Sequence, residues 1–517
     1  MRETTSEYEV DDVGLAAVRT PRDDLLLEVA DGPDRFGCAQ GPFDRYERTV
    51  VVAPAPSGAE GRHLVTETVR WELAIPIWGG LFRPLVRRLL HRTEAPPPPE
   101  PGAAAARAPW WSPPARFDAR SAQVLSRLCG LSLLAGYLGT VITQTITYAA
   151  DEFGASKSGQ GTTLAAVRVG VLLSLVLMGL ADRHGRKRLL VWSAVGGATA
   201  AALGALAPNL WVLGTTQTFS RAFSTAMGLL IAVVAAEEMP AGGRAYAVSV
   251  LAMTGALGAG VAVMLQSLAG LAVPAWRVIY VVPLLVLPWF LRVGDRLPES
   301  RRFARPHARA RFAGHRARLA LLCGTAFFGL LFYAPNTQFQ NDFLRTEHGF
   351  SAPMITAFTL LTGTPAGIGV VVGGRLADTH GRRLVGVVGT LGGAGLMALG
   401  YQLGGPALWV VGVVGSIIAA LTVPALAVYG PELFPTGLRA KANGVISLAG
   451  VAGSAVGLVL GGRLADHFGR YGPAIALLGL GPVVVVGLVV AFYPETAHLE
   501  LEELNPEDVP LPLPPLG

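Results

Sequence analysis

The amino-acid sequence predicts an all-α membrane protein with twelve transmembrane helices in two six-helix bundles, preceded by a small α+β domain. Three observations support this prediction. Only 15% of the 517 residues are charged and 51% are hydrophobic, whereas a soluble chain carries charge on about a quarter of its residues. Twelve apolar segments have about the 20 residues that a helix needs to cross a bilayer. Several short motifs occur twice, at a nearly constant separation.

The repeated motifs divide the apolar part of the chain into two halves. Gly179-Leu-Ala-Asp-Arg-His-Gly-Arg-Lys-Arg188 returns as Arg375-Leu-Ala-Asp-Thr-His-Gly-Arg-Arg383, so that Asp182 and Asp378 lie 196 positions apart. Glu237-x-x-Pro240-x-x-x-Arg244 returns as Glu432-x-x-Pro435-x-x-x-Arg439, and Pro298-Glu-Ser300 returns as Pro494-Glu-Thr496. A period this long is typical of two large halves that enclose a central site, and it is too long for a solenoid.

The regions outside the spans differ from them in composition. We expect residues 1–93 to form a soluble cytosolic domain, in which 46–52 and 63–73 alternate as two strands. Residues 78–91 predict a basic amphipathic helix, which either lies along the membrane surface or covers the small sheet. A Pro/Ala-rich linker follows at 94–125. The bundles are assigned to 126–293 and 317–493, with a basic central loop at 294–316 and a disordered tail at 494–517.

The twelve spans are predicted from runs of apolar residues between polar loops. Their bounds are 127–149, 159–181, 188–206, 209–236, 245–268 and 277–293 in the first half, and 317–339, 352–377, 383–403, 406–430, 440–465 and 472–493 in the second.

Basic residues indicate the orientation of these spans. Six plus six crossings place both termini on one side, and the loops on that side hold most of the Lys and Arg residues. The positive-inside rule therefore predicts cytoplasmic termini and a multi-pass protein of the cell membrane. The same loops explain the net charge of +6, so we expect the lipid bilayer and no nucleic acid as a partner.

Enzyme activity and bound metals are not expected. The three cysteines, Cys38, Cys129 and Cys323, lack the spacing of a disulfide framework or a zinc site. We find neither a nucleophile–base pair nor a metal cluster in the sequence, and we expect no cofactor.

The first pair of motifs resembles the loop signature of the major facilitator superfamily, G-x-L-A-D-R-x-G-R-[RK]. The resemblance extends over about residues 120–500. In the first copy Met178 stands where the leading glycine of the signature is usual, and in the second copy Thr379 stands at its arginine position. The resemblance implies transport by alternating access, with loop residues that act as a latch on one gate; alternatively, these residues only anchor the topology. The implied latch residues are Asp182, Arg183, Gly185 and Arg186 in the first half and Asp378, Gly381, Arg382 and Arg383 in the second.

Two further motifs refine this resemblance. The Glu-x-x-Pro-x-x-x-Arg motif is similar to helix connections of the sugar and metabolite porter branch, which implies gating roles for Glu237, Arg244, Glu432 and Arg439. A looser third match to the loop signature, Gly462-Arg-Leu-Ala-Asp-His-Phe-Gly-Arg470, lies outside the repeat register and on the opposite face by the span map. The resemblance gives no account of this third match.

Two cations fall at mid-membrane depth. Arg168 lies near the middle of the second span and Arg221 near the middle of the fourth, where a charge is costly unless it faces a cavity or a partner. Both are therefore predicted to point inward. Either they bind an anionic group of the substrate, or Arg221 reaches Glu237 or backbone carbonyls and serves the structure.

Polar residues on three spans complete the predicted substrate site. Pro335 is expected to break the seventh helix and free backbone groups that line a cavity; alternatively, residues 336–340 lie in the headgroup zone. The remaining candidates are Thr140, Gln144, Gln217, Asn336, Gln338 and Gln340.

We therefore expect a secondary active or facilitative transporter of a small organic solute, anionic or sugar-like. Protons are a candidate coupling ion, although no carboxylate is predicted at mid-depth, which leaves Glu237, Glu238 and Asp342 as coupling candidates. The alternatives are a multidrug efflux transporter and a membrane sensor that binds a ligand without moving it. A monomer is expected to be sufficient.

Overall fold

The computed structural model describes residues 1–56, 61–94, 112–113, 115–240, 244–295, 297, 314–427, 429–434 and 436–496. Most of the predicted linker, central loop and tail lie outside this description. The same holds for some side chains within helices, namely those of residues 179–184, 236, 244–245, 295, 374–375, 378–379, 431–432 and 436–441.

The chain begins with a five-stranded antiparallel sheet. Its strands are β1 (Arg2–Asp11), β2 (Leu27–Ala30), β3 (Arg35–Gln40), β4 (Phe43–Pro54) and β5 (Arg62–Leu73), in the spatial order β1-β5-β4-β3-β2. Helix α1 (Asp12–Val18) follows β1, and helix α2 (Gly79–Leu90) follows β5. The two strands predicted from alternation correspond to β4 and β5. Strand β1 was not predicted because its buried face begins with the polar residues Thr4 and Ser6.

Helix α2 has two different faces. Val86 and Leu90 pack with Leu26 and Trp71 against the sheet, so the helix covers the sheet as one of the two expectations proposed. Leu81 points elsewhere and remains 68% exposed. The second face is therefore free to contact something other than the sheet.

A group of buried charges lies in the interior of this domain. Arg48 and Glu28 are fully buried, with their Nη2 and Oε2 atoms 2.6 Å apart. Glu67 lies 3.4 Å from Arg22 and 3.5 Å from Arg48, and Tyr46 donates a hydrogen bond to Glu28. Because these buried charges form ion pairs with one another, removing one partner leaves an uncompensated buried ion.

We predict that Arg48→Ala destabilises the N-terminal domain by about 3–5 kcal/mol, the usual cost of breaking a buried ion pair. Arg70→Ala is the matched control on the neighbouring strand, because Arg70 pairs with Glu3 while 56% exposed; it should cost less than about 1 kcal/mol. Limited proteolysis of the full-length protein across a urea series measures both effects. Equal protease resistance of the two variants would contradict the prediction.

Long helices make up the rest of the chain. In the first half they are α3 (Ala119–Glu152), α4 (Lys157–His184), α5 (Arg186–Gly204), α6 (Leu210–Glu238), α7 (Arg244–Leu265) and α8 (Trp276–Asp295). In the second half they are α9 (Arg316–Gln338), α10 (Gln340–Thr346), α11 (Ala352–Gly363), α12 (Ala366–His380), α13 (Arg382–Gly400), α14 (Gly405–Ala420), α15 (Thr422–Leu426), α16 (Tyr429–Glu432), α17 (Thr436–Phe468), α18 (Tyr471–Leu478) and α19 (Leu480–Phe492).

Eleven helical segments of the described residues are long and apolar enough to cross a membrane. This confirms the helical membrane architecture, but the count of twelve is not confirmed. The predicted third span, 188–206, corresponds to α5, which is not among the eleven. It opens on Arg186, Lys187 and Arg188 and continues with many Ala and Gly residues, so its composition is less apolar than that of the other spans.

Three predicted spans of the second half are interrupted helices. The interruptions between α11 and α12, between α14 and α15, and between α18 and α19 each lie at or just before a proline, namely Pro365, Pro424 and Pro482. Proline lacks the N–H of the intrahelical hydrogen bond, which explains these positions. Pro335 behaves differently from our expectation, because α9 continues past it to Gln338 before α10 begins.

Candidate functional site

The two ends of the helical region differ in what they carry. We call the end beside residues 1–94 and the start of α3 the domain face, and the end that holds the end of α3 and helix α10 the distal face. The sheet domain is fixed to the domain face, since Trp78 Nε1 donates to the Ser126 carbonyl at 3.2 Å and Ile77 N donates to Ser126 Oγ at 3.2 Å.

A cavity of about 260 Å³ lies between the two halves of the chain. Its polar lining comes from Thr140 and Thr143 of α3, Arg168 of α4, Arg221 of α6 and Gln338 of α9. Four of the residues that the sequence suggested for substrate binding, namely Thr140, Arg168, Arg221 and Gln338, therefore surround one space. Helices from both halves contribute, as a site between repeats requires.

The protein satisfies only part of the hydrogen-bonding capacity of Arg221, one of the two arginines of the cavity. Arg221 Nη1 donates to the Gly139 carbonyl at 2.7 Å, whereas its Nε has no hydrogen-bond partner. Within the described residues, neither Arg168 nor Arg221 forms an ion pair with a carboxylate. The backbone contact satisfies only part of the Arg221 guanidinium, so charge and donors remain available to a ligand.

The other four predicted binding residues do not line this cavity. Gln144 accepts a hydrogen bond from Asn341 Nδ2 at 3.1 Å, one helical turn nearer the distal face. Gln217 is buried beside Gly204 of α5. The backbone carbonyl of Asn336 accepts a hydrogen bond from the Tyr401 hydroxyl. Gln340 is the first residue of α10.

Polar contacts join the two halves at the distal face. Thr143 Oγ1 donates to Gln338 Oε1 at 2.7 Å, at the distal edge of the cavity. Arg345 pairs with Asp151 at 2.7 Å, and Gln160 Nε2 donates to Asp342 at 3.4 Å. These contacts close the distal side above the cavity, and we call them, with those of the next paragraph, the distal gate.

The third match to the loop signature belongs to this gate. Asp466, near the end of α17, accepts hydrogen bonds from the backbone N–H groups of Lys157 and Ser158 at 3.1 and 2.8 Å. These groups open α4 of the other half, and a helix N-terminus attracts negative charge. A carboxylate from one half thus caps a helix of the other.

The sequence singled out this third match without a role, and it named Asp342 only as a coupling candidate. Tyr471, which donates a hydrogen bond to Asp342, and Asn341 were missed. Their only sequence signal is their place at the ends of predicted spans, which does not tell a gate residue from a loop residue.

At the domain face, the described ion pairs stay within one half. Arg186 pairs with Glu237, and Arg120 pairs with the buried Glu238, with 3.0 Å between Nε and Oε2. Gly185 adopts a φ of 93° before α5, as Gly381 adopts 95° before α13, and glycine tolerates this conformation best.

The equivalent turn of the second half is capped by a distant carboxylate. Glu495 accepts hydrogen bonds from the backbone N–H groups of Arg382 and Arg383 at 2.9 and 3.1 Å. Glu495 belongs to the repeated Pro-Glu-Thr motif, which thereby acquires a structural role. The side chains of Asp182, Arg183, Asp378, Arg244, Glu432 and Arg439 lie outside the described residues, so their predicted latch roles stay predictions.

Two helical halves that enclose a polar cavity, closed at one face, define a membrane transporter of the two-bundle type. The sequence model of the Major Facilitator Superfamily matches residues 128–339 and 321–517. The chain therefore belongs to the major facilitator superfamily, and it is a multi-pass membrane transporter of a small solute.

Similar proteins agree with this assignment. The chain is 26% identical over 368 residues to a putative metabolite transport protein of Haemophilus influenzae, covering 65% of this chain and 86% of that protein. Among solved structures, the inward-open xylose transporter XylE from E. coli has a TM-score of 0.62 at 17% identity, covering 75% and 99% of the two chains. The nucleoside transporter NupG has a TM-score of 0.59 at 14% identity, covering 72% and 100%.

We predict that Asp466→Ala weakens the distal gate, because α4 loses the acceptor of two N–H groups. A helix cap contributes about 0.5–2 kcal/mol, which corresponds to about a 2-fold to 30-fold rise in the open population. The measurement is alkylation of Thr140→Cys, which lines the cavity and takes part in none of the gate contacts described above, by a membrane-impermeant maleimide added at the distal face, in protein whose native cysteines are replaced by serine.

Asp466→Asn keeps one acceptor and should give an intermediate labelling rate. Asp12→Ala is the control, because it removes a carboxylate of the sheet domain far from the gate. An unchanged labelling rate in Asp466→Ala would show that the cap does not hold the gate closed.

Proposed function

We propose that the protein carries a small organic anion, such as a carboxylate or phosphate ester, across the cell membrane by alternating access. The observation that supports this proposal is the pair of arginines, Arg168 and Arg221, on one cavity, without an ion-pair partner in the described residues. A cation in a membrane interior needs a partner or water, and two like charges in one cavity also repel each other. An anionic solute relieves both costs at once.

The geometry of the lining fits this class of substrate. Guanidinium groups bind carboxylate and phosphate oxygens through paired hydrogen bonds. Thr140 and Gln338 supply neutral hydrogen-bonding groups to the same cavity, where they would contact hydroxyl or carbonyl groups of the same solute. The name of the Haemophilus influenzae relative, a metabolite transport protein, supports a metabolite as cargo.

The contacts at the two faces support an inward-facing state. In this proposal the domain face is cytoplasmic, both termini lie there, and the distal gate closes the outer side. The described ion pairs of the domain face join helices of the first half to one another and do not reach the second half. Opening the distal gate and closing the predicted latch of Asp182 and Asp378 would give the alternate state.

We predict that Arg168→Ala and Arg221→Ala each weaken the binding of an anionic solute by about 10-fold to 150-fold, the loss expected for a hydrogen bond to a charged group. Arg168→Lys should be intermediate, because it keeps the charge and loses the planar fork. Thr337→Ala is the control beside Gln338, since its hydroxyl bonds to its own helix at Tyr333.

Counterflow into proteoliposomes tests this prediction with a labelled C4-dicarboxylate, a sugar phosphate and an uncharged hexose. Saturable counterflow of an anion, lost in both alanine variants, supports the proposal. Normal anion uptake in both variants would remove the role of the arginines. Uptake of the hexose alone would favour a sugar carrier, and tight binding without flux would favour a sensor.

Asp342 is the proposed coupling carboxylate, because it is 1% exposed and accepts hydrogen bonds from Tyr471 and Gln160 between the halves. Opening the distal gate separates it from Gln160 and changes its access to protons. We predict that Asp342→Asn retains counterflow but loses the uptake driven by an imposed pH gradient.

Asp151→Asn is the control for Asp342, because Asp151 lies in the same gate but is 46% exposed. An Asp342→Asn variant that still accumulates solute in response to the pH gradient would exclude this coupling residue.

A further inference from the structure

A second cavity among the described residues is larger than the one that holds the two arginines, and it lies outside the proposed transport path. It has a volume of about 620 Å³, within the range of about 300–1,000 Å³ that small-molecule sites occupy. Its walls come from the sheet domain, from the chain before α3, and from the first turns of α3 and α7. We call it the junction cavity. It shares no residue with the cavity of the two arginines.

The walls of the junction cavity are mainly apolar. Leu81, Phe82 and Val86 of α2 face Leu125 of α3 and Leu257 of α7 across it. The polar groups at its walls are engaged with the protein itself. Ser126 accepts hydrogen bonds from Ile77 and Trp78, and Thr254 Oγ1 donates to the Leu251 carbonyl at 3.0 Å. An occupant therefore needs an apolar body and gains little from hydrogen bonds inside.

One side of the cavity adjoins the hydrocarbon of the bilayer. Met253 is 57% exposed and Leu257 is 52% exposed, although both lie on α7, a helix that is long and apolar enough to cross a membrane. Exposed apolar side chains on such a helix contact lipid chains. The α7 residues that line the cavity, from Tyr246 to Leu257, belong mainly to the half of the helix that begins at the domain face, so the cavity lies at the depth of the leaflet on that side.

Helix α2, whose Leu81, Phe82 and Val86 line the cavity, is basic on its outer surface. It carries Arg83, Arg87 and Arg88, all exposed, and no acidic residue. The charged residues that line the cavity itself are engaged with the protein, since Arg116 is paired with Asp23 and Asp24 accepts a hydrogen bond from the Leu26 backbone N–H. A basic amphipathic helix at the level of the headgroups attracts anionic lipids, at about 1 kcal/mol for each arginine near the surface.

We propose that the junction cavity is a binding site for one anionic membrane phospholipid, with an acyl chain between α2 and α7 and its headgroup beside the α2 arginines. The bound lipid joins the N-terminal domain to the transporter. The site is separate from the proposed anion path, so neither proposal depends on the other.

Native mass spectrometry of the full-length protein, titrated with phosphatidylglycerol and with phosphatidylcholine of the same chains, tests this site. We expect one phosphatidylglycerol to bind at least about fivefold more tightly than phosphatidylcholine. Leu257→Trp and Met253→Trp fill the cavity and should each weaken binding about tenfold or more, because excluding even a few methylene groups has that effect. Met264→Trp is the control, since Met264 is 58% exposed on the same helix outside the cavity.

The contribution of the α2 arginines is tested separately. Arg87→Gln should weaken phosphatidylglycerol binding about fivefold and leave phosphatidylcholine binding unchanged, whereas Arg70→Gln, on an exposed face of the sheet, should change neither. Unchanged phosphatidylglycerol binding in Leu257→Trp would overturn the proposal. Equal affinity for the two lipids, or displacement of phosphatidylglycerol by an uncharged solute such as decane at lower concentration, would also overturn it.

Discussion

Close approach of helix backbones at glycine residues holds each half of the transporter together. A side chain at Gly258 of α7 would collide with the Leu133 carbonyl of α3, and one at Gly453 of α17 would collide with the Phe327 carbonyl of α9. The two contacts are equivalent in the repeat, because 258 and 453 are 195 apart and 133 and 327 are 194 apart. Lipid gives helices no hydrophobic reason to associate, so dispersion across these seams must provide the cohesion.

Because each half is held together in this way, the contacts between the halves are the ones that can change during transport. At the distal face these contacts combine polar pairs, with Asp466 on the N-terminus of α4 and Arg345 on Asp151, with a close approach of α4 and α17, where a side chain at Gly161 would collide with the Leu458 carbonyl. The polar pairs exchange readily with water, whereas the close approach of α4 and α17 loses packing when it opens. The contacts within each half therefore stay together, and the contacts between the halves at the distal face are the ones that separate. Glu495, which caps α13 within its own half, belongs to the part that stays together.

The sequence was sufficient for features that follow from composition and spacing. Apolar length identified the helical membrane architecture, although not the exact number of spans, and the cost of buried charge predicted that Arg168 and Arg221 point inward. It was not sufficient where partners are distant along the chain. Gln144 and Asn336 have the same polarity as Gln338, but neither lines the cavity, because Gln144 is hydrogen-bonded to Asn341 and Asn336 is buried elsewhere. Strand β1 was missed because its partner β5 lies far along the chain, and only that pairing makes its polar face a buried one.

The sheet domain is attached close to the ion pairs of the domain face. Asp118 caps α3, and two residues later Arg120 pairs with Glu238 at the end of α6. The residue before Glu238 is Glu237, which pairs with Arg186 at the start of α5. The chain that leaves the sheet domain therefore enters the membrane within one turn of the ion pairs of the domain face. Hydrogen bonds at Ser126 fix the domain to α3, so it lies beside the loops that carry the family signature and at the opposite end of the helices from the distal gate. The domain is therefore attached where the ion pairs of the first half meet, and not where the described contacts join the two halves.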